Sequence, residues 1–427
     1  MIRKLFVKPN PRCLLEKAKE LEAVNAVKLR EKDGYVLATY AKRLVTWKQF
    51  EQYCYVPALY RSTVLRDDGS EFWPSMTKVP NFGELSEEER ARVRPIVAYR
   101  KVDGSLIAVS YDPEREKLLI RTKSSWDNPF IEYFSKFVKQ YGLTDALISH
   151  AERLNRVGRG TLHFELVCAL PREQEGLLRR YVPKFSPVPE DERIIETPHS
   201  ALSTNELDHI CKVSAKLGTL RAYLLMGKTV EPSGVVLYGP EEFDWPFKPW
   251  RVSVQSFENL ASVVNEKQDE EGVMVWVEGF EPIPACNYPI DPILKMKNSQ
   301  YVMLTSSKGT LFSLLRYAQE GGVDDLLSLG EEGRLIVELM EKLNRVKRLM
   351  KEYRIRARRG ECQVPNKGLL RQLVEVEGDE KAIREVLGRI MRNVPYSKIG
   401  KVVRKYIKSL DDVERKIKKV CGASFDL

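Results

Sequence analysis

The chain has 427 residues, of which 43% are hydrophobic and 30% charged; 70 Lys and Arg against 60 Asp and Glu leave a formal charge of +10. At about 100–200 residues per domain this is two or three domains with cores of their own, so neither a disulfide nor a metal staple is needed for stability. The basic balance favours an acidic partner such as nucleic acid, and with no apolar run approaching about 18 residues and no signal-peptide pattern, no membrane span or secretion leader is expected.

Helical spacing of apolar residues predicts a first helix over Leu14 to Leu29. Val64-Leu65, then Asp67-Asp68-Gly69, then Glu71-Phe72-Trp73 reads as a hairpin, because Asp-Gly tolerates the positive φ of a tight turn. Leu106 to Tyr111 and Lys117 to Thr122, parted by Asp112-Pro113, read as a second hairpin. A helix is expected over Phe130 to Tyr141 and a strand over Leu162 to Ala169. Pro183 to Pro198 reads as a surface loop. Strands follow at Ala222 to Met226, Val235 to Tyr238, Gly272 to Val277 and Pro292 to Lys297, with a helix around Phe257 to Val264. After Ser306 the pattern is helical: Leu311 to Gln319, Glu331 to Arg356, Leu369 to Val374, Glu380 to Arg392 and Lys398 to Val420, broken by Gly321-Gly322, Gly330 and Pro365-Asn366. The charge divides at the same place: Thr305 to Leu427 holds 27 Lys and Arg against 18 Asp and Glu, a net +9. The expectation is an α+β domain over 1–304 and a smaller, basic, all-α domain over 305–427.

Seven scattered cysteines (13, 54, 168, 211, 286, 362 and 421) form no CxxC pair, and the four histidines form no HExxH. Neither a disulfide framework nor a zinc site is expected, and the thiols fit a reducing cytoplasm, or a host's cytoplasm for a viral source. Sparse Asn and Gln beside plentiful Lys, Arg and Glu is the bias of proteins that work hot.

The segment richest in chemistry is YRKVDGSLIAVSY, Tyr99 to Tyr111. Alone, K-x-D-G reads either as a charged turn before a strand or as a nucleophilic lysine, Lys101, with Asp103 holding the loop and Gly104 allowing close backbone approach to a nucleotide. A free lysine titrates at about 10.4, so a nucleophile needs desolvation or nearby cations to lose its proton. Glu165 in HFELVCALP is a carboxylate in an apolar strand, and a buried charge must be paired or used. Glu271 opens EEGVMVWVEG. Lys295 and Lys297 in LKMKNSQYV share one strand face, where two ammonium groups can grip a polyphosphate.

In order, KVDGSL, FELV, EGVMV and KMKNSQYV resemble the motifs of the covalent nucleotidyltransferases, and K-x-K followed by three residues and Tyr301-Val resembles the phage-type ATP-dependent RNA ligase 1 family. Tyr40 in VLATYA, Arg61 in ALYRSTVL, Lys78 in MTKVPNFGE and Lys123 in LIRTKSS stand in that family's order, and the likeness runs from about residue 35 to 330. It departs at Ser62, where the family more often has glycine, at Pro80, where an aromatic is usual, and in a longer stretch between FELV and EGVMV.

The resemblance implies an ATP-grasp-like arrangement of antiparallel sheets with flanking helices, followed by a helical domain. It implies ATP with Mg²⁺ (or Mn²⁺) as cofactors, and RNA 5′-phosphate and 3′-hydroxyl ends as substrates, joined through lysine–AMP and adenylylated RNA. In it Lys101 is the nucleophile, Glu165 holds a ribose hydroxyl, and Glu271 is a metal-side carboxylate or the partner of Lys101. Lys295 and Lys297 sit at the α-phosphate; Tyr40, Arg61, Lys78 and Lys123 contact the nucleotide and its leaving pyrophosphate; Tyr301 closes the last motif; Asp324 is a metal-linked carboxylate. A GTP-dependent capping enzyme or a DNA ligase is the alternative within the superfamily, though the helices after the last lysine motif replace the usual barrel. A non-catalytic RNA-binding protein is the alternative outside it, and against it no motif lysine or glutamate is missing.

Overall fold

The computed structural model describes residues 3–5, 7–44, 46–156, 158–182, 193–266, 270–280, 282–298, 301, 331–359, 404, 407–408, 410–412 and 414–417. The chain forms two compact units, Met1–Thr305 and Ser306–Leu427. In the first, a six-stranded sheet has the order β1 (Arg3–Leu5), β13 (Gly234–Tyr238), β12 (Arg221–Glu231), β9 (Arg159–Val167), β7 (Ser105–Asp112), β8 (Lys117–Thr122). A four-stranded sheet runs β2 (Val27–Lys32), β3 (Tyr35–Tyr40), β4 (Arg61–Arg66), β5 (Phe72–Trp73). A second runs β14 (Arg251–Val252), β6 (Arg94–Arg100), β15 (Gly272–Glu278), β16 (Ile293–Lys297), and β10 (Ala169–Pro171) pairs with β11 (Ile194–Glu196). Every pairing between these strands is antiparallel.

Alternation along the strands sorts the core into two layers. Ile107, Val109, Leu162, Phe164 and Leu166 face the helices α4 (Pro129–Gln140), α5 (Thr144–Arg156) and α7 (Thr204–Leu217), where Phe134, Phe137, Leu147, Leu154 and Ile210 are buried against them. Leu106, Met226, Val235 and Leu237 point the other way, into a core shared with β3, β4, β6, β15 and β16. The helices are cut by side-chain caps. Ser203 and Glu206 form a capping box at the start of α7, and Gly218 ends it in the left-handed conformation. The α2 (Trp47–Glu51) and α3 (Glu87–Arg92) helices open with capping boxes too, while α6 (Glu175–Tyr181) opens without one. The α8 helix (Phe257–Glu266) sits where the apolar spacing puts it. In the second unit α9 spans Glu331–Arg358, and Lys342 and Arg345 on it pair with Asp411 and Glu414.

Three expectations need correction. The first helix, α1 (Pro11–Ala23), stops six residues short of Leu29, because Asn25 takes a left-handed φ of 55° and Ala26 N–H turns back to Leu21 O at 2.8 Å, freeing Val27 to open β2. The segment 183–198 is not all loop: 183–192 lies outside the described residues, but Ile194–Glu196 is strand β11. And among the described residues two pairs of cysteines are linked, Cys13 with Cys286 and Cys168 with Cys211, at Cα separations of 5.5 and 4.9 Å. Their partners lie 273 and 43 residues away, a proximity that only the finished fold creates.

Candidate active site

Lys101 lies in the short connection where the chain leaves β6 of one sheet and enters β7 of another, so residues of both sheets surround it. Its N–H donates to Gly272 O (2.8 Å), and its Nζ is 2.5 Å from Oε2 of Glu271. The other oxygen of Glu271 takes Lys297 Nζ at 2.7 Å. Burial alone would push the Glu271 carboxyl up; the two ammonium groups outweigh it and hold the carboxyl down at about 2. Two glycines make this contact possible. A Cβ on Gly104 would fall 2.6 Å from Leu166 O and 2.8 Å from Glu165 Cγ, and one on Gly272, at φ 139°, would fall 2.0 Å from Met296 O. Gly104 therefore allows close approach to strand β9.

Beside this trio, Glu165 projects from β9 opposite Leu106. Burial pushes its carboxyl up to about 7, against the pull of Lys101 and Arg61. Asp103 is likewise raised to about 6 by burial and by the Glu271 charge. It accepts from Ser200 N–H (3.1 Å), Ser200 Oγ (2.5 Å) and Tyr301 Oη (2.8 Å). Three cations gather at Tyr40, whose ring centroid lies 4.1 Å from Lys123 Nζ. Burial would raise that phenol, but Lys123, Lys78 and Arg61 bring it down to about 7. Lys295 is buried on β16 two residues from Lys297, and its N–H donates to Pro80 O (3.0 Å), so the Lys78 segment runs along this strand.

The structure thus brings Tyr40, Arg61, Lys78, Lys123, Lys101, Asp103, Gly104, Glu165, Glu271, Lys295, Lys297 and Tyr301 to one region of the first unit; Asp324 lies outside the described residues. Sequence reading missed the residues that hold them. Ser200 and His199 clamp the loop, His199 Nδ1 meeting Ser105 Oγ at 3.1 Å and its Nε2 accepting from Cys168 N–H at 3.1 Å. Buried Asn298 receives little notice within KMKNSQYV, yet its N–H donates to Glu271 O (2.9 Å) and its Oδ1 accepts from Tyr301 N–H (3.2 Å). Residues 75–77, just before Lys78, are tied by Lys228 Nζ to Ser75 O (3.0 Å), Met76 N–H to His163 Nε2 (2.9 Å) and Thr77 N–H to Asp291 Oδ2 (2.8 Å). No short motif marks these, because each partner is distant in the sequence, Lys228 on β12, His163 on β9 and Asp291 in the loop before β16.

The donor set suits a hard cation: Asp103, Glu165 and Glu271 offer oxygen only, as Mg²⁺ or Mn²⁺ prefers. Both oxygens of Glu271 are already taken by lysines and both of Asp103 by Ser200 and Tyr301, and the three carboxylates do not lie close enough together to hold an ion by themselves.

No family model and no curated protein matches the chain. Among solved structures it is similar to an archaeal ATP-dependent RNA ligase (13% identity, 79% of each chain, TM-score 0.39). It is also similar to a Naegleria gruberi RNA ligase with pyrophosphate (11% identity, 53% of this chain, 57% of that one, TM-score 0.30) and to a protein described as a putative ATP-dependent DNA ligase from Aquifex aeolicus (12% identity, 79% of this chain, 75% of that one, TM-score 0.38). The likeness therefore spans little more than half of the Naegleria chain. At TM-scores this low none of these likenesses bears on the chemistry.

Proposed function

We propose that this protein is an ATP-dependent RNA ligase that works through a lysine–AMP adduct on Lys101. The observation that carries the reading is the contact of Lys101 and Lys297 with one buried carboxylate, Glu271, at the crossing of two sheets, beside a cationic pocket around Tyr40. A lysine presented this way is held in place, its ammonium group fixed by the carboxylate at the crossing of the two sheets. In the first step Lys101 Nζ gives up a proton to solvent and bonds to the α-phosphorus of ATP, while the bond from that phosphorus to pyrophosphate breaks. Lys295 and Lys297 stabilise the charge gathering on the α-phosphate. Arg61, Lys78 and Lys123 hold the departing pyrophosphate, Arg61 by its planar fork. Glu165 accepts ribose hydroxyls. The AMP then passes to an RNA 5′-phosphate, and an RNA 3′-hydroxyl displaces it to close the strand. A Mg²⁺ ion bound with the nucleotide would supply neutralisation of phosphate charge, the carboxylates beside Lys101 being the residues that could help to hold it. The basic second unit, Ser306–Leu427, adds salt-dependent affinity for the RNA backbone.

Incubation with ATP, Mg²⁺ and a 5′-phosphorylated RNA bearing a 3′-hydroxyl, beside the DNA oligonucleotide of the same sequence, tests the reading. Joined or circular RNA is the expected product. Sealing of DNA alone, or transfer of GMP from GTP to an RNA end, would replace it with the DNA ligase or the capping reading.

A further inference from the structure

Ser62 follows Arg61 and holds a left-handed backbone, φ 72°. In the β3–β4 pairing, Ala38 faces Thr63 and Thr39 faces Arg61, so Ser62 is the extra residue of a bulge. A residue with a Cβ avoids this conformation unless its surroundings impose it. Arg121 imposes it here. Its side chain is fully buried on β8; Nε donates to Ser62 O (2.8 Å), and Nη1 donates to Ser110 Oγ and Leu119 O (3.0 Å each). One position along, Ser62 Oγ donates to Thr122 O (3.0 Å), so both sides of the bulge are strapped to β8.

Arg121 is an expensive residue for this place. None of its hydrogen bonds goes to a carboxylate, its Nη2 has no partner among the described residues, and burial pulls its guanidinium down to about 9. An apolar side chain of like volume would fill the site without that desolvation. What the arginine alone provides is a fixed donor for the carbonyl of the bulged residue. The bulge in turn sets the direction of Arg61, whose charge is felt at both Tyr40 and Glu165.

We infer that Arg121 is a positioning residue: it locks the left-handed bulge at Ser62 and so aims Arg61 at the phosphates of the nucleotide. This rests on the adenylylation reading above. It also explains why glycine suits position 62: glycine takes the conformation unaided, whereas serine needs the strap.

The test compares wild type, Arg121→Met and Arg121→Met/Ser62→Gly, with Ser62→Gly as the reference for the double variant. The readouts are the ATP concentration at half-maximal enzyme–AMP formation and the thermal midpoint. Arg121→Met should raise that concentration about tenfold or more, as a misplaced positioning group does. Adding Ser62→Gly should return most of the loss while the midpoint stays low. An unchanged ATP concentration in Arg121→Met, or a double variant no better than Arg121→Met, overturns the inference, since a merely structural arginine moves the midpoint alone. Should Arg121→Met not fold, Ser62→Val decides: a β-branched residue in left-handed backbone should raise the same concentration, and no rise overturns the inference. If wild type forms no adduct, the adenylylation reading fails, and the same comparison is made on ATP affinity by calorimetry. ATP that binds none of these proteins overturns both.

Discussion

Glu165 sits under opposed influences: burial favours its neutral form, Lys101 and Arg61 favour the carboxylate, and Glu271 and Asp103 again oppose it, with the balance at about 7 against an ordinary 4.5. Because the folded value lies above the unfolded one, the fold favours the protonated acid. The carboxylate costs stability above about pH 7, and that cost fades as pH falls towards 4.5. Glu165→Gln should therefore raise the thermal midpoint at pH 8 and leave it nearly unchanged at pH 5; an equal gain at both would show that the charge is not the cause. Tyr40 offers a second reading of the same electrostatics. In a spectrophotometric titration one of the 18 tyrosines should ionise near pH 7, and that step should move upward in Lys123→Ala. Glu165 was legible in the sequence because a carboxylate between Phe164 and Leu166 is anomalous. Arg121 carries the same signal, a cation sharing a strand face with the buried Leu119.

Among the elements, the pairing of β15 with β16 does most to set the site, since Gly272 lies opposite Lys297 and Met274 opposite Lys295. Gly272 has no room for a Cβ and a φ of 139°. Gly272→Ala should cost about 3 kcal/mol in chemical denaturation and part Glu271 from Lys297, with adenylylation falling as well. A change within about 0.5 kcal/mol would mean that the strand ends move apart freely. These strands, and the Leu106–Tyr111 and Lys117–Thr122 hairpin, could be read from alternation because one pattern served both faces of a buried sheet. The α5 and α7 helices went unread. Their buried residues, Leu147, Ala151 and Leu154 in one and Leu207, Ile210, Cys211 and Ser214 in the other, make thin stripes that include small and polar side chains. The end of α1 was missed for another reason: apolar spacing continues past Ala23, and only the left-handed Asn25 stops the helix.

For the whole molecule, the Cys13–Cys286 link joins α1 to the turn before β16 across 273 residues, and Asn10 N–H donates to Cys286 O (2.9 Å) beside it. Cross-linking so long a loop restricts the unfolded chain, so Cys13→Ser should lower stability by about 2–4 kcal/mol under oxidising conditions. Identical denaturation of wild type with and without reductant would contradict the link. No amount of sequence reading pairs residues that far apart, and the same holds for the buried Lys228–Asp291 ion pair (2.6 Å), whose members lie on separate strands and loops. Among the described residues no helix is long and apolar enough to cross a membrane.

On the proposed function Lys101 becomes covalently bound to AMP. Incubating wild type and Lys101→Ala with α-labelled ATP and Mg²⁺, then separating them by denaturing electrophoresis, tests it directly. A label on wild type that survives alkali, is released by acid as a lysine phosphoramidate is, and is absent from Lys101→Ala is the predicted result. No label on wild type, or a label that survives in Lys101→Ala, would contradict it.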